Sequence, residues 1–574
     1  MSPQDPTKRL ERLGLAGLLA VTLCVWLLQF EPFHLPNNDY ASFEATARAF
    51  AAGELPARYQ RMPILPALMA AVAPLCPGPH PYLQATLVLN LLFSLALLVA
   101  LYDLADRLLG RGALLVPVLF AAGNQFHSMA LQPLVEPSLG FFVVLAFALC
   151  ARRSPWQYAA AGAAALSRYE AAPLLGVLAV VNAIADRDLR RHFALAAVAG
   201  LPFLVWLGLG TVRGSGASWY LDVMRDDGFG AAPHFLVTSL KEPLRGWLGD
   251  GALGWAAFTV AAGLPIVLGV ADGVRRHPRE TAGMLSIYAL ATTTVVIFGI
   301  DKGRYAYAYQ WIPLFFLAAG LLTLLEARTL ERLARLPRAT QWALTLAVAA
   351  GLLAALRNGI HRLGSGHPGA LPAVDELWAL AALAAIVLAL ALRVLGTGME
   401  MRHAASLACL TALLVTLPVV AEGMRVKRKE QYKIRWGNYG IVLASEWIRE
   451  NAAADDRFVV LHKGHYLHRT GLPAERFSSL QNLDATSLEE LAPSMRDDGL
   501  THLIVTWRKP PGQRDDWRVE KKFKWFLIAP LLEGEAAPGL SRVASLALPE
   551  HMDRPPVRIF RVDPADEPPS VIPR

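Results

Sequence analysis

Cysteine is nearly absent: four in 574 residues, at Cys24, Cys76, Cys150 and Cys409, far apart along the chain. Such spacing supports neither a disulfide framework nor a zinc site. Charge is scarce as well. Charged residues make up 18% of the chain, against roughly 25% in soluble proteins, which excludes an ordinary soluble domain for most of the length. Lys and Arg outnumber acids to give a net charge of +8. They are scattered among loops and form no patch with interleaved aromatics, so nucleic acid is excluded as a partner. No internal repeat or low-complexity segment stands out. The basic start, MSPQDPTKRLERLG, lacks a small-residue cleavage site after its apolar run. Residues 12–30 therefore read as a retained first helix.

What the chain has is apolar length. Hydrophobic residues are 54% of the sequence, and the mean hydropathy is +0.36. Uncharged runs of bilayer length fall at about 12–30, 83–105, 113–129, 133–151, 157–185, 193–212, 251–271, 281–300, 308–325, 338–356, 372–393 and 404–422. This is the pattern of a polytopic α-helical membrane protein. The short loops DRLLGRG and ARRSPW carry Arg without net negative charge, which places them in the cytoplasm. The loops at 31–82 and 124–132 then face outward. On that orientation MRVKRKEQYKIR, after the last span, lies outside against the charge rule, where it can touch anionic headgroups. The Ala- and Arg-rich composition fits a bacterial inner membrane.

The run WQYAAAGAAALSRYEAAPLLGVLAVVNAIA is too long for one span, at about 43 Å against about 30 Å of hydrocarbon. One helix would also bury Arg168 and Glu170 near mid-membrane, at roughly 2.5–3.5 kcal/mol each. Two short helices turning at SRYE avoid that cost, bringing the expected total to about thirteen. From about residue 430 the composition changes. NYGIVLASEWIRENAAADD reads as an amphipathic helix and RFVVLH as a strand. LEELAPSMRDDGLTHLIVTW reads as a helix followed by a strand, and VRIFRV as a closing strand. The expected domains are a transmembrane one over 1–425, with a first external loop at 31–82, and a small soluble α/β one over 426–574.

Few residues could do chemistry. Asp39 precedes an amphipathic stretch, YASFEATARAFAAG, whose Phe43, Ala47, Phe50 and Ala51 share one face. It can cap that helix, or be held by it over a cavity at the membrane surface. Arg61, before the Pro-punctuated run MPILPALMAAV, can snorkel or grip a phosphate. Glu136 opens an apolar helix beside Pro137, either as a helix-start acid or facing a cavity. Arg168 in SRYE and Arg304 with Tyr305 in GIDKGRYAYAYQ are boundary cations; a local Arg168–Glu170 pair and headgroup contact are their structural alternatives. Two acids, three arginines and aromatics on one face suit substitution at a carbon bearing a phosphate leaving group. A carboxylate takes the proton of the acceptor, and guanidiniums stabilise the departing phosphate.

The order of NNDYASFEATARAFAAGE, RMPILPALMA, LVEPSLGFFVVLAFAL, AAAGAAALSRYEAAPLL and GRYAYAYQWIPLFFLAAGL resembles the GT-C glycosyltransferase superfamily. The protein O-mannosyltransferases and lipid A aminoarabinose transferases are the most similar branches. The resemblance spans about 10–330 and resumes in the C-terminal region. It implies an inverting enzyme that takes a polyprenyl-phosphate-linked sugar donor to an extracytoplasmic acceptor. Asp39 would be the general base and Glu136 the second cavity acid. Arg61, Arg168, Arg304 and Tyr305 would hold the donor phosphate. Arg168 matches an Arg-Pro turn, with Tyr169 in place of the proline. Asp39 is flanked by Asn38 and Tyr40 where relatives often carry a second acid. No cofactor is firmly implied, and a tightly held divalent metal is disfavoured. HKGHYLHRTG, with His462, His465 and His468, follows a strand, where one helical face is not expected to gather a zinc ligand set. The rival function is a transporter or lipid flippase using the same residues, which inverted repeats and broken mid-membrane helices would mark.

Overall fold

The computed structural model describes residues 6–29, 38–57, 59, 61–77, 80–110, 112–121, 124–213, 252–297, 307–324, 438–461, 463–506, 525–547 and 556–564. The chain divides into two units, one of Met1–Pro32 with Phe43–Gly423, the other of Phe33–Ser42 with Met424–Arg574. The expected spans at 338–356, 372–393 and 404–422 lie outside the described residues, and with them the expected helix total.

Helix α1, Pro6–Gln29, begins before the expected residue 12. Polar contacts draw its charged start into the helix: Glu11 is buried and accepts from the Gly112 N–H at 2.7 Å, and Lys8 pairs with Asp106 at 3.1 Å. Then follow α2 (Asn38–Ala51), α3 (Ile64–Val72) and α4 (Pro81–Leu108). The expected 113–129 span contains two short helices, α5 (Leu115–Ala121) and α6 (Asn124–Ala130). Next come α7 (Glu136–Ala151), α8 (Trp156–Ala165), α9 (Pro173–Asp186) and α10 (Leu189–Val212). The chain does break at SRYE. Ten-residue α8 is about 15 Å long and cannot span alone. Its buried Ala face packs on α7 and α10 instead.

Three described stretches are long and apolar enough to cross a membrane: Pro81–Leu108, Tyr169–Asp186 and Leu189–Val212. Helix α10 leaves Leu201, Leu204 and Val205 exposed while Trp206 is buried. An apolar surface of that kind is at home against lipid.

Helices α11 (Ala252–Arg276), α12 (Pro278–Ile297) and α13 (Trp311–Leu324) continue this unit. α11 and α13 touch backbone to backbone. A Cβ on Gly320 would run into the carbonyl oxygen of Pro265, and one on Gly269 into that of Phe316. In lipid, where apolar burial does not drive association, such close packing holds helices together. Gly320→Ala should therefore lower stability by about 1–3 kcal/mol, the usual range for overpacking. Gly208→Ala, facing open space on α10, should cost nothing. Thermal unfolding of both variants in detergent checks the contrast.

The second unit carries α14 (Asn438–Asn451), β1 (Phe458–Val460), α15 (Lys463–Thr470), β2 (Phe477–Ser479) and α16 (Leu488–Asp497). β3 (His502–Val505), α17 (Trp525–Glu533), β4 (Leu540–Leu546) and β5 (Val557–Val562) complete it. The strand order is β2-β1-β3-β5-β4. The first three strands are parallel and the β3–β5 and β5–β4 pairs antiparallel. Alternate strand residues feed two cores. Phe458, Val460 and Ile504 meet Ile441, Ala444 and Ile448 of α14. On the other face, Val459, Leu503 and Val505 meet Leu491 of α16 and Leu527 of α17.

His502 on β3 stacks on Phe458, with ring centroids 5.4 Å apart. Its Nδ1 lies 2.8 Å from the Thr501 hydroxyl and 3.5 Å from Asp456. Burial lowers its pKa below the usual histidine value, although Asp456 pulls the other way. A depressed histidine pKa means that the unfolded chain takes the proton first. Stability is thus full above the unfolded histidine pKa of about 6.5 and is lost as pH falls through it towards the folded value. The melting temperature of this unit should drop between pH 7 and pH 5, and His502→Asn should flatten that slope. Calorimetry of both proteins across that range tests it.

Candidate active site

Proline and charge placement build this site from short segments. Pro63 and Pro66 punctuate the entry into α3, and Arg61 precedes them. Glu136 is the first residue of α7, directly before Pro137, whose missing N–H costs nothing at a helix start. Arg168 is extended, between α8 and a single 3-10 turn at Tyr169–Ala171.

These segments converge. Arg168 Nη1 donates to Glu136 Oε1 at 2.9 Å, and its Nε and Nη2 donate to Glu170 at 3.2 and 3.1 Å. Glu136 is 2% exposed and the Arg168 side chain 12%. Both pairings are present: the local one with Glu170, and one to Glu136 across 32 residues of sequence. Carbonyl and hydroxyl contacts tie the Arg61 segment to the same turn. The Tyr169 hydroxyl donates to the Tyr59 carbonyl at 2.9 Å, and the Ile64 N–H to the Leu166 carbonyl at 3.4 Å. The Arg61 guanidinium lies 4.9 Å from the centre of the Phe43 ring, within cation–π range.

An aromatic shell surrounds the Tyr59 end. Tyr59 and Trp206 are buried with ring centroids 4.7 Å apart, Phe50 lies edge-on to Trp206, and Arg213 sits 5.9 Å over Tyr59. Sequence reasoning did not single out Tyr59, Trp206 or Arg213. Trp206 and Arg213 fall in and just after an apolar span, where nothing distinguishes them from lipid-facing or interfacial residues. Tyr307 is buried beside Gly140 and close to Glu136.

Asp39 is the second residue of α2, as its helix-start sequence predicts. Tyr40, Phe43 and Ala47 form the buried face of that helix, while Glu44 and Arg48 pair at 2.6 Å. The Asp39 side chain, and Arg304 and Tyr305 altogether, lie outside what the structure describes. The site thus brings together Arg61, Glu136, Arg168 and Glu170. Within the HKGHYLHRTG segment Lys463–Thr470 form a helix, α15. His462 lies outside the described residues. Among the described residues no cluster of three or more His, Cys, Asp or Glu could hold a metal ion.

No family model and no curated protein sequence matches this chain. Solved structures do. ArnT from Cupriavidus metallidurans bound to undecaprenyl phosphate superposes with a TM-score of 0.54 at 15% identity, covering 96% of this chain and 98% of that one. Apo ArnT gives 0.51 at 15% identity, covering 95% and 97%. The chain shares the fold of these two structures. At this identity the likeness establishes the architecture, and it runs over nearly the whole of both chains.

Within that fold the Glu136–Arg168–Glu170 triad has one net negative charge and little solvent. Removing one partner of a buried pair leaves an uncompensated charge, worth about 3–5 kcal/mol. Arg168→Ala should accordingly destabilise the protein by about that much, and the exposed-face change Arg48→Ala by less than about 1 kcal/mol. Thermal unfolding in one detergent, with the two variants side by side, checks both figures.

Proposed function

We propose that the protein is an inverting glycosyltransferase that moves a sugar from a polyprenyl-phosphate donor to an acceptor on the extracytoplasmic face of a membrane. The observation that carries this proposal is full-length similarity in fold to ArnT, a lipid A aminoarabinose transferase whose structure holds undecaprenyl phosphate. The cluster of Arg61 with the buried acidic triad adds local support.

In the reaction, the Asp39 carboxylate removes the proton of the acceptor hydroxyl. The acceptor oxygen attacks the anomeric carbon from the face opposite the phosphate. The bond from that carbon to the phosphate oxygen breaks, and polyprenyl phosphate leaves with the electron pair. Arg61, Arg304 and Tyr305 hold the phosphate and stabilise the charge it gains. Arg168 takes a different role from the one its sequence context suggested. Two carboxylates take three of its five N–H donors and offset its charge. It orients Glu136 at the start of α7.

Turnover in detergent separates this function from transport, because no gradient exists there. Wild-type protein should release polyprenyl phosphate from one member of a panel of labelled polyprenyl-phosphate sugars when a crude envelope acceptor is added. Asp39→Asn should fold normally and release at least about 100-fold less, the scale of a lost general base. Normal turnover by that variant, or binding of every donor without release, would sink the assignment.

A further inference from the structure

Arg61 sits on a stretch with no regular structure of its own. Helix α2 ends at Ala51 and α3 starts at Ile64, and the described residues between them form no helix or strand. A guanidinium on such a stretch is placed only as well as the stretch itself is held. Here Tyr59, just before Arg61, is held twice. The Tyr169 hydroxyl donates to its carbonyl at 2.9 Å, and its ring centroid lies 4.7 Å from that of Trp206 on α10. Tyr59 and Met62, on either side of Arg61, are both buried in one cluster with Trp206. Arg61 itself stays half-buried, with its guanidinium 4.9 Å from the centre of the Phe43 ring.

Both anchors lead back to α10. The Tyr169 ring lies edge-on to Phe203, with centroids 6.3 Å apart, and Phe203 and Trp206 share a face one turn apart. The two anchors work by different means. Tyr169 brings a hydrogen bond from the turn that carries Arg168 and Glu170, and the Arg61 charge lies close enough to act on its hydroxyl. Trp206 brings shape alone, because its buried Nε1 has no hydrogen-bond partner. Loss of its ring would therefore matter and loss of its N–H would not.

We infer that Tyr169 and Trp206 are positioning residues for Arg61: by clamping Tyr59 at its carbonyl and its ring, they set the affinity of the protein for the donor phosphate. This rests on the reading of Arg61 as a ligand of that phosphate. Neither residue touches the phosphate. Tyr169 also joins the Arg168–Glu136–Glu170 triad to Arg61, so the buried ion pairs and the phosphate-holding cation share one support.

Equilibrium binding of undecaprenyl phosphate, the ligand in the ArnT structure, to full-length protein in detergent tests the clamp. Arg61→Ala should bind at least about tenfold more weakly than wild type, the value of one hydrogen bond to a charged group. Tyr169→Phe keeps the ring and loses only the hydroxyl; it should weaken binding by about threefold to tenfold, the value of one neutral hydrogen bond. Added to Arg61→Ala, the same change should have no further effect, because the hydroxyl acts through Arg61. Trp206→Ala should weaken binding and Trp206→Phe should restore it. Tyr158→Phe removes a different buried hydroxyl, one bonded to His192 at 2.9 Å, and should lower the melting temperature without changing binding. Wild-type affinity in Tyr169→Phe overturns the inference and leaves Arg61 as the phosphate ligand, and so does an additive loss in the double variant or an equal loss in Tyr158→Phe. Wild-type affinity in Arg61→Ala, or no binding by the wild type, overturns the phosphate reading and the inference with it.

Discussion

Arg168 stands between Glu136 and Glu170, at 2.9 and 3.1 Å, in a bundle whose neighbouring surfaces are almost wholly apolar. A lone ion there would cost several kcal/mol, so each member of the triad is held in place by the others. The consequence is mechanical as well as electrostatic. Glu136 fixes the start of α7, Glu170 the short turn before α9, and Arg168 the break after α8. Hydrogen bonds from that turn then reach Tyr59 and the entry to α3. Four segments that would otherwise be separate loops become one rigid rim.

The two arginines of this rim are supported differently. Arg168 donates to carboxylates on both sides, which cancels its charge locally. Arg61 rests on the face of Phe43, a contact that fixes a guanidinium in position while adding no formal charge. Around them Tyr59, Trp206 and Tyr169 supply apolar bulk with polar tips, the chemistry suited to the boundary of a bilayer. Packing of this kind keeps water away from the charges and strengthens the interactions made between them.

The second unit solves a different problem. Its inner parallel strands, β1 and β3, are buried on both faces, which explains the runs FVV and HLIV. β4, the antiparallel edge strand, leaves Arg542, Val543 and Ser545 exposed around a bulge between Arg542 and Ala544. Closing the sheet with β5 between β3 and β4 buries Ile559 and Phe560 against opposite cores.

Much of this was legible in the residues. Apolar length announced the membrane helices, and the cost of burying Arg168 and Glu170 in one long helix announced the break at SRYE. Composition marked the change to α/β structure near residue 430, and the spacing of Phe43 and Ala47 gave the buried face of α2. Those features are local: periodicity, length and the cost of a charge act within a few turns. Other features were settled only when distant segments met. The N-terminal extension of α1 depends on the Gly112 N–H donating to Glu11. The role of Arg168 depends on Glu136, a residue far away in sequence. The helix over KGHYLHRT and the place of β5 in the sheet depend on what packs beneath them. Local chemistry fixed which elements could form, while the pairing of buried charges and the sharing of a core decided how they were joined.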